Sequence, residues 1–121
     1  MAKKKQAAAL AAAAILAADD IKIERVAVPE WDGYVHVRTI AASVRDQWEV
    51  LVAQEDKDVN RDLSASFLVL CICDAEGTLL FKPGDAAKLG AKSSAALKRL
   101  WRVARRLNGI GDDELEELEK N

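Results

Sequence analysis

Two short segments rich in apolar residues flank a proline and a glycine near the start of the chain, and together they constrain its fold most. The first segment contains Ile21, Ile23, Val26 and Val28, and the second contains Tyr34, Val35 and Val37. Pro29 cannot donate a hydrogen bond to a β-ladder, and Gly33 can adopt the positive φ of a tight turn. The sequence therefore predicts a β-hairpin that carries Trp31 in its turn.

The composition limits the size and the chemistry of the domain. Half of the 121 residues are apolar, which is enough for one compact domain with a modest core. Aromatic residues make up only 5%, so a few of them must serve as large anchors. A net charge of −2 argues against general nucleic-acid binding, because a basic surplus normally drives that binding. The expected anchors are Trp31, Trp48, Trp101, Phe67 and Phe81.

The first eighteen residues differ in composition from the rest. Lys3–Lys5 precede the alanine-rich run Ala7–Ala18, a pattern that secretory signal peptides share. Alanine is a strong helix former but a weak hydrophobe, and the run is too short to span a bilayer. We predict an Ala-rich N-terminal helix or extension at residues 1–18, followed by a single domain at residues 19–121. An exported domain from which residues 1–18 are cleaved is the alternative.

Helical spacing of apolar residues follows the hairpin. The positions of Ile40, Val44, Trp48, Leu51 and Val52 predict one face of a helix from about residue 41 to 54. Thr39 or Ser43 is expected to cap the start of this helix. The charged stretch at residues 55–62 then predicts an exposed loop, because only one of its residues is apolar.

The run from Phe67 to Cys73 is compatible with a strand or with a helix. Its β-branched and sulfur-containing residues, followed by a turn-like Asp74–Gly77, suit a hairpin. Apolar spacing and length favour a central helix from about Asp62 to Asp74, which we take as the prediction.

Two further helices are expected near the C-terminus. Asp85 can cap a short helix that ends at Gly90, and Ser93 or Ser94 can open a longer helix that ends at Leu107. The apolar face of the longer helix comprises Leu97, Leu100, Trp101 and Ala104. The predicted fold is thus α+β: an N-terminal β-hairpin followed by a mostly helical single domain.

Residues that could carry catalysis or bind metal are few. Cys71 and Cys73 lie in an apolar run and suit small buried hydrophobes, and one histidine, His36, gives too few ligands for zinc. Asp74, Glu76 and Gly77 resemble only part of a calcium loop, so a plain turn is expected. Residues 109–111 lack the glycine pattern of a phosphate-binding loop. We expect no enzyme activity, no cofactor and no metal.

Charge is distributed unevenly over the C-terminal third. The longer helix carries Lys98, Arg99, Arg102, Arg105 and Arg106, and the segment Asp112–Glu119 contains six acidic residues. An ordinary solvated surface with balanced charges is one interpretation. The other is that the basic helix meets an acidic tail of another subunit or of a partner, which would set register and on-rate.

Six ordered segments of the sequence resemble those of one protein family. They are Ile15–Ile21; Pro29-Glu30-Trp31-x-Gly33; Val35-x-Val37-Arg38; Val44-Arg45-Asp46-x-Trp48-Glu49; Asp74-x-Glu76-Gly77-x-x-Leu80-Phe81; and Leu107–Gly109 with the closing Glu116–Asn121. The family is that of the tail assembly chaperones of long, non-contractile-tailed bacteriophages, and the resemblance covers nearly the whole chain from about residue 13. The Ala-rich N-terminus is longer and more apolar than the family pattern.

The resemblance implies a function and a set of partners. Such proteins bind the tape measure protein, keep it soluble and help recruit tail tube subunits during tail morphogenesis. They tend to self-associate, act in the host cytoplasm and are absent from the mature virion. In many of them a ribosomal frameshift appends a domain that contacts the tail tube protein, so this chain resembles the short, unshifted product.

The candidate partner-binding residues come from pattern and not from the family. They are the apolar residues Leu10, Ile15 and Leu16, the tail residues Leu115 and Leu118, and the helix cations Arg99, Arg102, Arg105 and Arg106. An amphipathic helix of a client would pack on the apolar residues while the cations orient it. No membrane and no nucleic acid is expected among the partners. The alternative function is a small cytosolic regulator that binds nucleic acid through the basic helix.

Overall fold

The hairpin forms where the sequence predicts it. In the computed structural model, which describes residues 7–111, strand β1 (Ile23–Val28) pairs antiparallel with strand β2 (Gly33–Arg38). A 3-10 turn, Pro29–Trp31, joins the strands. The prediction of a positive φ at Gly33 is wrong, because Asp32 adopts the left-handed conformation, with φ 55°. Aspartate tolerates this region better than most residues, so Gly33 is free to begin β2.

A third strand lies where the second half of a helix was predicted. Helix α4 (Leu63–Leu68) ends after six residues, and strand β3 (Ile72–Cys73) then pairs antiparallel with β2. The predicted helix over residues 62–74 is therefore wrong beyond Leu68. The run can be buried either in a helix or beside a strand, and its local spacing does not distinguish the two. Pairing with the free edge of β2 decides the outcome.

Hydrogen bonds to one aspartate close the turn after β3. The Asp74 carboxylate accepts hydrogen bonds from the backbone N–H groups of Glu76 and Thr78 at 2.9 and 3.0 Å. Gly77 adopts φ 89°, which few residues other than glycine adopt. The Asp74 carboxylate thus closes the turn.

Helix α3 (Lys57–Arg61) occupies the segment that was predicted to be a loop, so that prediction is wrong. The Asp56 carboxylate accepts hydrogen bonds from the backbone N–H groups of Asp58 and Val59, both at 3.1 Å, and so caps the helix. Val59, the one apolar residue of the segment, packs against the core. One cap and one apolar contact are sufficient to order this turn of helix.

The two longer helices follow their predictions closely. Helix α2 spans Ala42–Ala53 and helix α6 spans Ser94–Leu107. Ser93 caps α6 by accepting a hydrogen bond from the Ala96 N–H at 3.4 Å. The predicted side-chain cap of α2 is wrong, because its first residues have no such hydrogen bond and the Thr39 hydroxyl accepts from the Lys22 N–H.

Helix α5 (Ala86–Gly90) also lies where it was predicted. Its predicted cap is wrong, because the Asp85 carboxylate accepts a hydrogen bond from the Lys82 N–H at 2.9 Å and closes the preceding 3-10 turn, Pro83–Asp85. Helix α4 packs against α5 and α6, and α6 packs against β2.

Three aromatic rings form the centre of the core. Phe67 on α4 is fully buried, and its ring packs edge to face against Trp48 on α2 and Trp101 on α6, at centroid distances of 5.0 and 5.4 Å. These three anchors are confirmed, whereas Trp31 and Phe81 are only half-buried. The inner face of the sheet completes the core with Val26, Val28, Val37 and Ile72.

The N-terminal segment contains a short helix, α1 (Ala12–Ala17), so the Ala-rich helix is confirmed over these six residues. Every residue of α1 is exposed. Lys3–Lys5 and the acidic segment Asp112–Glu119 lie outside the described residues, and the boundary at residue 18 stays a prediction. None of the helices in residues 7–111 combines the length and the apolar character of a membrane-spanning segment. The fold class, α+β, is confirmed.

Candidate functional site

The side chains with reactive groups are two cysteines and one histidine in the described part of the chain. Cys71 and Cys73 are free and buried, and burial raises the pKa of both thiols, that of Cys71 to about 12. They are protonated at neutral pH and are poor nucleophiles. The ring of His36 packs edge to face against Tyr34, and no carboxylate of residues 7–111 pairs with it. No group of three potential metal ligands occurs in the same residues.

A hollow of about 160 Å³ with a mostly apolar lining lies beside helix α2. Trp48 forms part of its wall, and Leu51, with 39% of its surface exposed, lies at its edge. Leu51 was predicted to share one face of α2 with Val44 and Trp48, and these three residues do line the same hollow. The hollow is smaller than the roughly 300–1,000 Å³ of typical small-molecule sites. The other apolar residues around it are Val44, Val59, Leu70, Pro83 and Ala86.

The wall of this hollow is fixed by a buried polar network. The indole Nε1–H of Trp48 donates to the Ser66 hydroxyl at 2.8 Å, and that hydroxyl donates to the Leu63 carbonyl at 2.7 Å. Each buried polar group therefore has a partner, which avoids the desolvation cost of an unpaired donor. The indole ring is held in one orientation and presents its apolar surface to the hollow.

The cations of helix α6 do not form one continuous surface. Arg99 donates two hydrogen bonds to the carboxylate of Glu30, at 2.7 and 3.0 Å, and Arg106 pairs with Glu24. The hydrogen bonds from Arg99 lower the pKa of Glu30 to about 2. These two predicted partner-binding residues thus tie α6 to the hairpin of the same chain.

The remaining cations of α6 face a second, more polar hollow of about 860 Å³. Lys98, Arg102 and Arg105 line it from α6, and Arg61 and Lys92 line it from the neighbouring segments. Asp62 is its one acidic lining residue in the described part of the chain, and the Arg61 side chain pairs with it at 3.2 Å. This basic hollow therefore has a strong positive surplus.

The predicted apolar partner-binding residues of the N-terminus are exposed. The exposed fractions are 67% for Leu10, 56% for Ile15 and 86% for Leu16. Leu115 and Leu118 lie outside the described residues. The structure does not bring Leu10, Ile15 and Leu16 into either hollow. Their role in binding stays a prediction.

Sequence reasoning missed the apolar hollow. Its lining combines residues from α2, from the segment predicted to be a loop, and from the run predicted to be one long helix. The available signal was the isolated Val59 in a charged stretch, since a lone apolar residue there indicates a contact with the core.

Comparison with solved structures relates this fold to that of a known protein. The structure resembles that of the tail assembly chaperone of bacteriophage HK97, with a TM-score of 0.53 and 22% sequence identity. The match covers 72% of this chain and 85% of the HK97 chain. No protein-family model matches the sequence, and no curated protein does either. The chain therefore shares the fold of a tail assembly chaperone.

Proposed function

We propose that this protein is a bacteriophage tail assembly chaperone without enzyme activity. The observation that carries the proposal is the fold shared with the HK97 tail assembly chaperone over 72% of the chain. The buried, protonated thiols and the isolated His36 agree with a binding protein. The six sequence segments that resemble this chaperone family support the same function from the sequence.

The proposed client is the tape measure protein, which this chain would bind and keep soluble. A client of long amphipathic helices aggregates when its apolar stripes are exposed, and a chaperone must cover these stripes reversibly. An apolar cavity of about 150 Å³ accommodates a group the size of benzene. The hollow beside α2, of about 160 Å³, therefore suits one apolar side chain of a client helix, with Leu51 packing beside it. Such small sites favour weak, repeated contacts.

The cations of the basic hollow would orient the client. Arg102 is exposed and lines this hollow, and Arg105 lines it beside Arg102. Arg99 and Arg106 are paired with hairpin carboxylates and are poorer candidates for this role. Charges at the edge of an interface act mainly on association rate and register. Leu10, Ile15 and Leu16 offer a further exposed apolar surface for a client or for a second copy.

We extend the proposal to the remaining partners and the location. The chain would self-associate, would help recruit tail tube subunits through a longer frameshifted form, and would act in the host cytoplasm without entering the mature virion. The regulator that binds nucleic acid is less well supported. Arg99 and Arg106 on α6 are paired within the chain, and phosphate binding depends on available positive charge.

Co-expression tests the proposal. An aggregation-prone tape measure fragment from the same phage should move to the soluble fraction and co-purify when this protein is present. Leu51→Asp should weaken this effect because it places a charge at the edge of the apolar hollow. Leu79→Asp is the matched control, since Leu79 is similarly exposed, at 42%, and lies outside the hollow.

A second pair of variants tests the cations. Charge reversal at Arg102 together with Arg105 should reduce the soluble yield of the fragment, and reversal at the exposed Lys22 should not. A fragment that stays insoluble with the wild-type protein and fails to co-purify at low salt would overturn the proposal. Equal effects of Leu51→Asp and Leu79→Asp would remove the hollow beside α2 as the binding surface.

A further inference from the structure

The basic hollow beside α6 has the charge of a site for an acidic segment. Five cationic side chains line it, and the single acidic lining residue in the described range is already paired with Arg61. Cations gathered around one concavity repel each other unless solvent or an acidic partner compensates them. The cationic lining residues are Arg61, Lys92, Lys98, Arg102 and Arg105.

The same hollow also has an apolar floor. Leu63, Leu97 and Trp101 line it, and the latter two are more than nine-tenths buried, at 7% and 8% exposure. A purely polar polyanion would leave this floor uncovered. The best-matched occupant is an acidic segment with a few leucines.

This chain contains such a segment directly after the described residues. Asp112–Glu119 combines six acidic residues with Leu115 and Leu118, and only Gly111 separates it from the buried Ile110. Its composition therefore matches both the cations and the apolar floor of the hollow.

The end of α6 places a turn directly before this segment. The Ile110 N–H donates to the Arg105 carbonyl at 2.9 Å and the Gly109 N–H to the Arg106 carbonyl at 3.4 Å, with Gly109 at φ 65°. These two bonds form a Schellman motif, which ends the helix and turns the chain.

The length of the segment is sufficient. The seven steps along α6 from Arg105 back to Lys98 cover roughly 10 Å at about 1.5 Å per residue. Eight residues reach up to about 27 Å when extended and about 12 Å when helical. The segment can therefore run back along α6 and reach all three cations of that helix in the same molecule.

We propose that the basic hollow is the docking site of the chain's own acidic segment, Asp112–Glu119, and that it binds the segment within one molecule. The acids pair with Lys98, Arg102 and Arg105, and Leu115 and Leu118 cover the apolar floor. Any acidic partner must then displace this segment, which makes the segment a built-in competitor for the surface. This inference does not depend on the identity of the client.

Zero-length carbodiimide crosslinking of the full chain tests the proposal, because it joins a lysine amine to a carboxylate only at contact distance. Mass spectrometry should find Lys98 or Lys92 joined to carboxylates of Asp112–Glu119. A mixture of ¹⁴N- and ¹⁵N-labelled chains distinguishes crosslinks within one molecule from those between molecules. Both peptides of each crosslinked pair should carry the same label, because the contact lies within one molecule. A crosslink between the neighbouring Lys120 and Glu116 or Glu117 is the positive control, because it shows that the carboxylates of this segment react.

Charge variants make the test specific. Exposed ion pairs are typically worth 0.2–1 kcal/mol, so Arg102→Glu should lower the crosslink yield about two- to fivefold. Lys22→Glu makes the same charge change outside the hollow and should leave the yield unchanged. The proposal is overturned by peptides of mixed label, by equal yields in the two variants, or by Lys120 crosslinks in the absence of crosslinks to Lys92 or Lys98.

Discussion

At the residue scale, the buried hydroxyl of Ser66 fixes the wall of the apolar hollow, and its loss should be costly. Ser66→Ala leaves the Trp48 indole N–H buried without an acceptor. An unsatisfied buried donor typically costs about 1–3 kcal/mol. We expect this loss in the free energy of unfolding, measured by urea denaturation. Ser94→Ala, at an exposed position, should stay within about 0.5 kcal/mol of the wild type.

The Glu30–Arg99 ion pair predicts a pH dependence of stability. Arg99 lowers the pKa of Glu30 from 4.5 to about 2, so the ionised carboxylate is favoured in the folded state. The folded state then gains stability above pH 4.5, and this gain is lost as the pH falls toward 2. The difference in unfolding free energy between wild type and Glu30→Gln should be constant near neutral pH and should shrink between pH 4.5 and 2.

The matched control for this pH dependence is Glu76→Gln, which neutralises an exposed turn residue without an ion pair in the described range. It should show no such change in that window. A difference between wild type and Glu30→Gln that is the same at pH 7 and at pH 2 would contradict the role of the pair.

At the element scale, the elements defined by local chemistry were predictable. The hairpin follows from its two apolar segments, and α6 follows from Ser93, its apolar face and Asn108–Gly109. Strand β3 was not predictable, because it is two residues long and its partner on β2 is 35 positions earlier. The residue with positive φ in the hairpin turn was also not predictable. Asp32 adopts it, but aspartate and glycine both tolerate positive φ, and Gly33 is the next residue.

The candidate site was less predictable than the fold for a related reason. Helical periodicity placed Arg99 and Arg106 on the polar face of α6, but their partners Glu30 and Glu24 lie on the hairpin and its turn, 69 and 82 positions away. Only the packing of α6 against the sheet shows which cations are paired within the chain.

Packing between helices rests on the aromatic centre of the core. Trp48→Ala and Trp101→Ala each remove a ring that packs against Phe67, and truncation of a buried aromatic residue typically costs ~3–5 kcal/mol. Domains of this size have about 5–15 kcal/mol in total, so both variants should have a greatly lowered unfolding midpoint. Trp31→Ala, at a half-buried position, should lose less. Unchanged midpoints for Trp48→Ala and Trp101→Ala would contradict the assigned core.

At the scale of the whole molecule, the exposed N-terminal segment predicts self-association. Leu10, Ile15 and Leu16 are exposed, and an isolated helix as short as α1 is marginal in water. We expect a homo-oligomer at micromolar concentration that dissociates more readily when residues 1–18 are deleted or when Leu10 and Leu16 are both changed to serine. Sedimentation velocity measures this. A strict monomer before and after deletion would contradict the prediction.

The chaperone activity itself is the central claim, and aggregation of the client measures it most directly. A purified tape measure fragment is diluted from denaturant, and light scattering is followed with and without this protein. We predict that scattering is suppressed at stoichiometric amounts, that Leu51→Asp suppresses it less, and that Leu79→Asp suppresses it as well as the wild type does. Scattering that is the same with this protein as with an equal mass of an unrelated protein would contradict the proposed function.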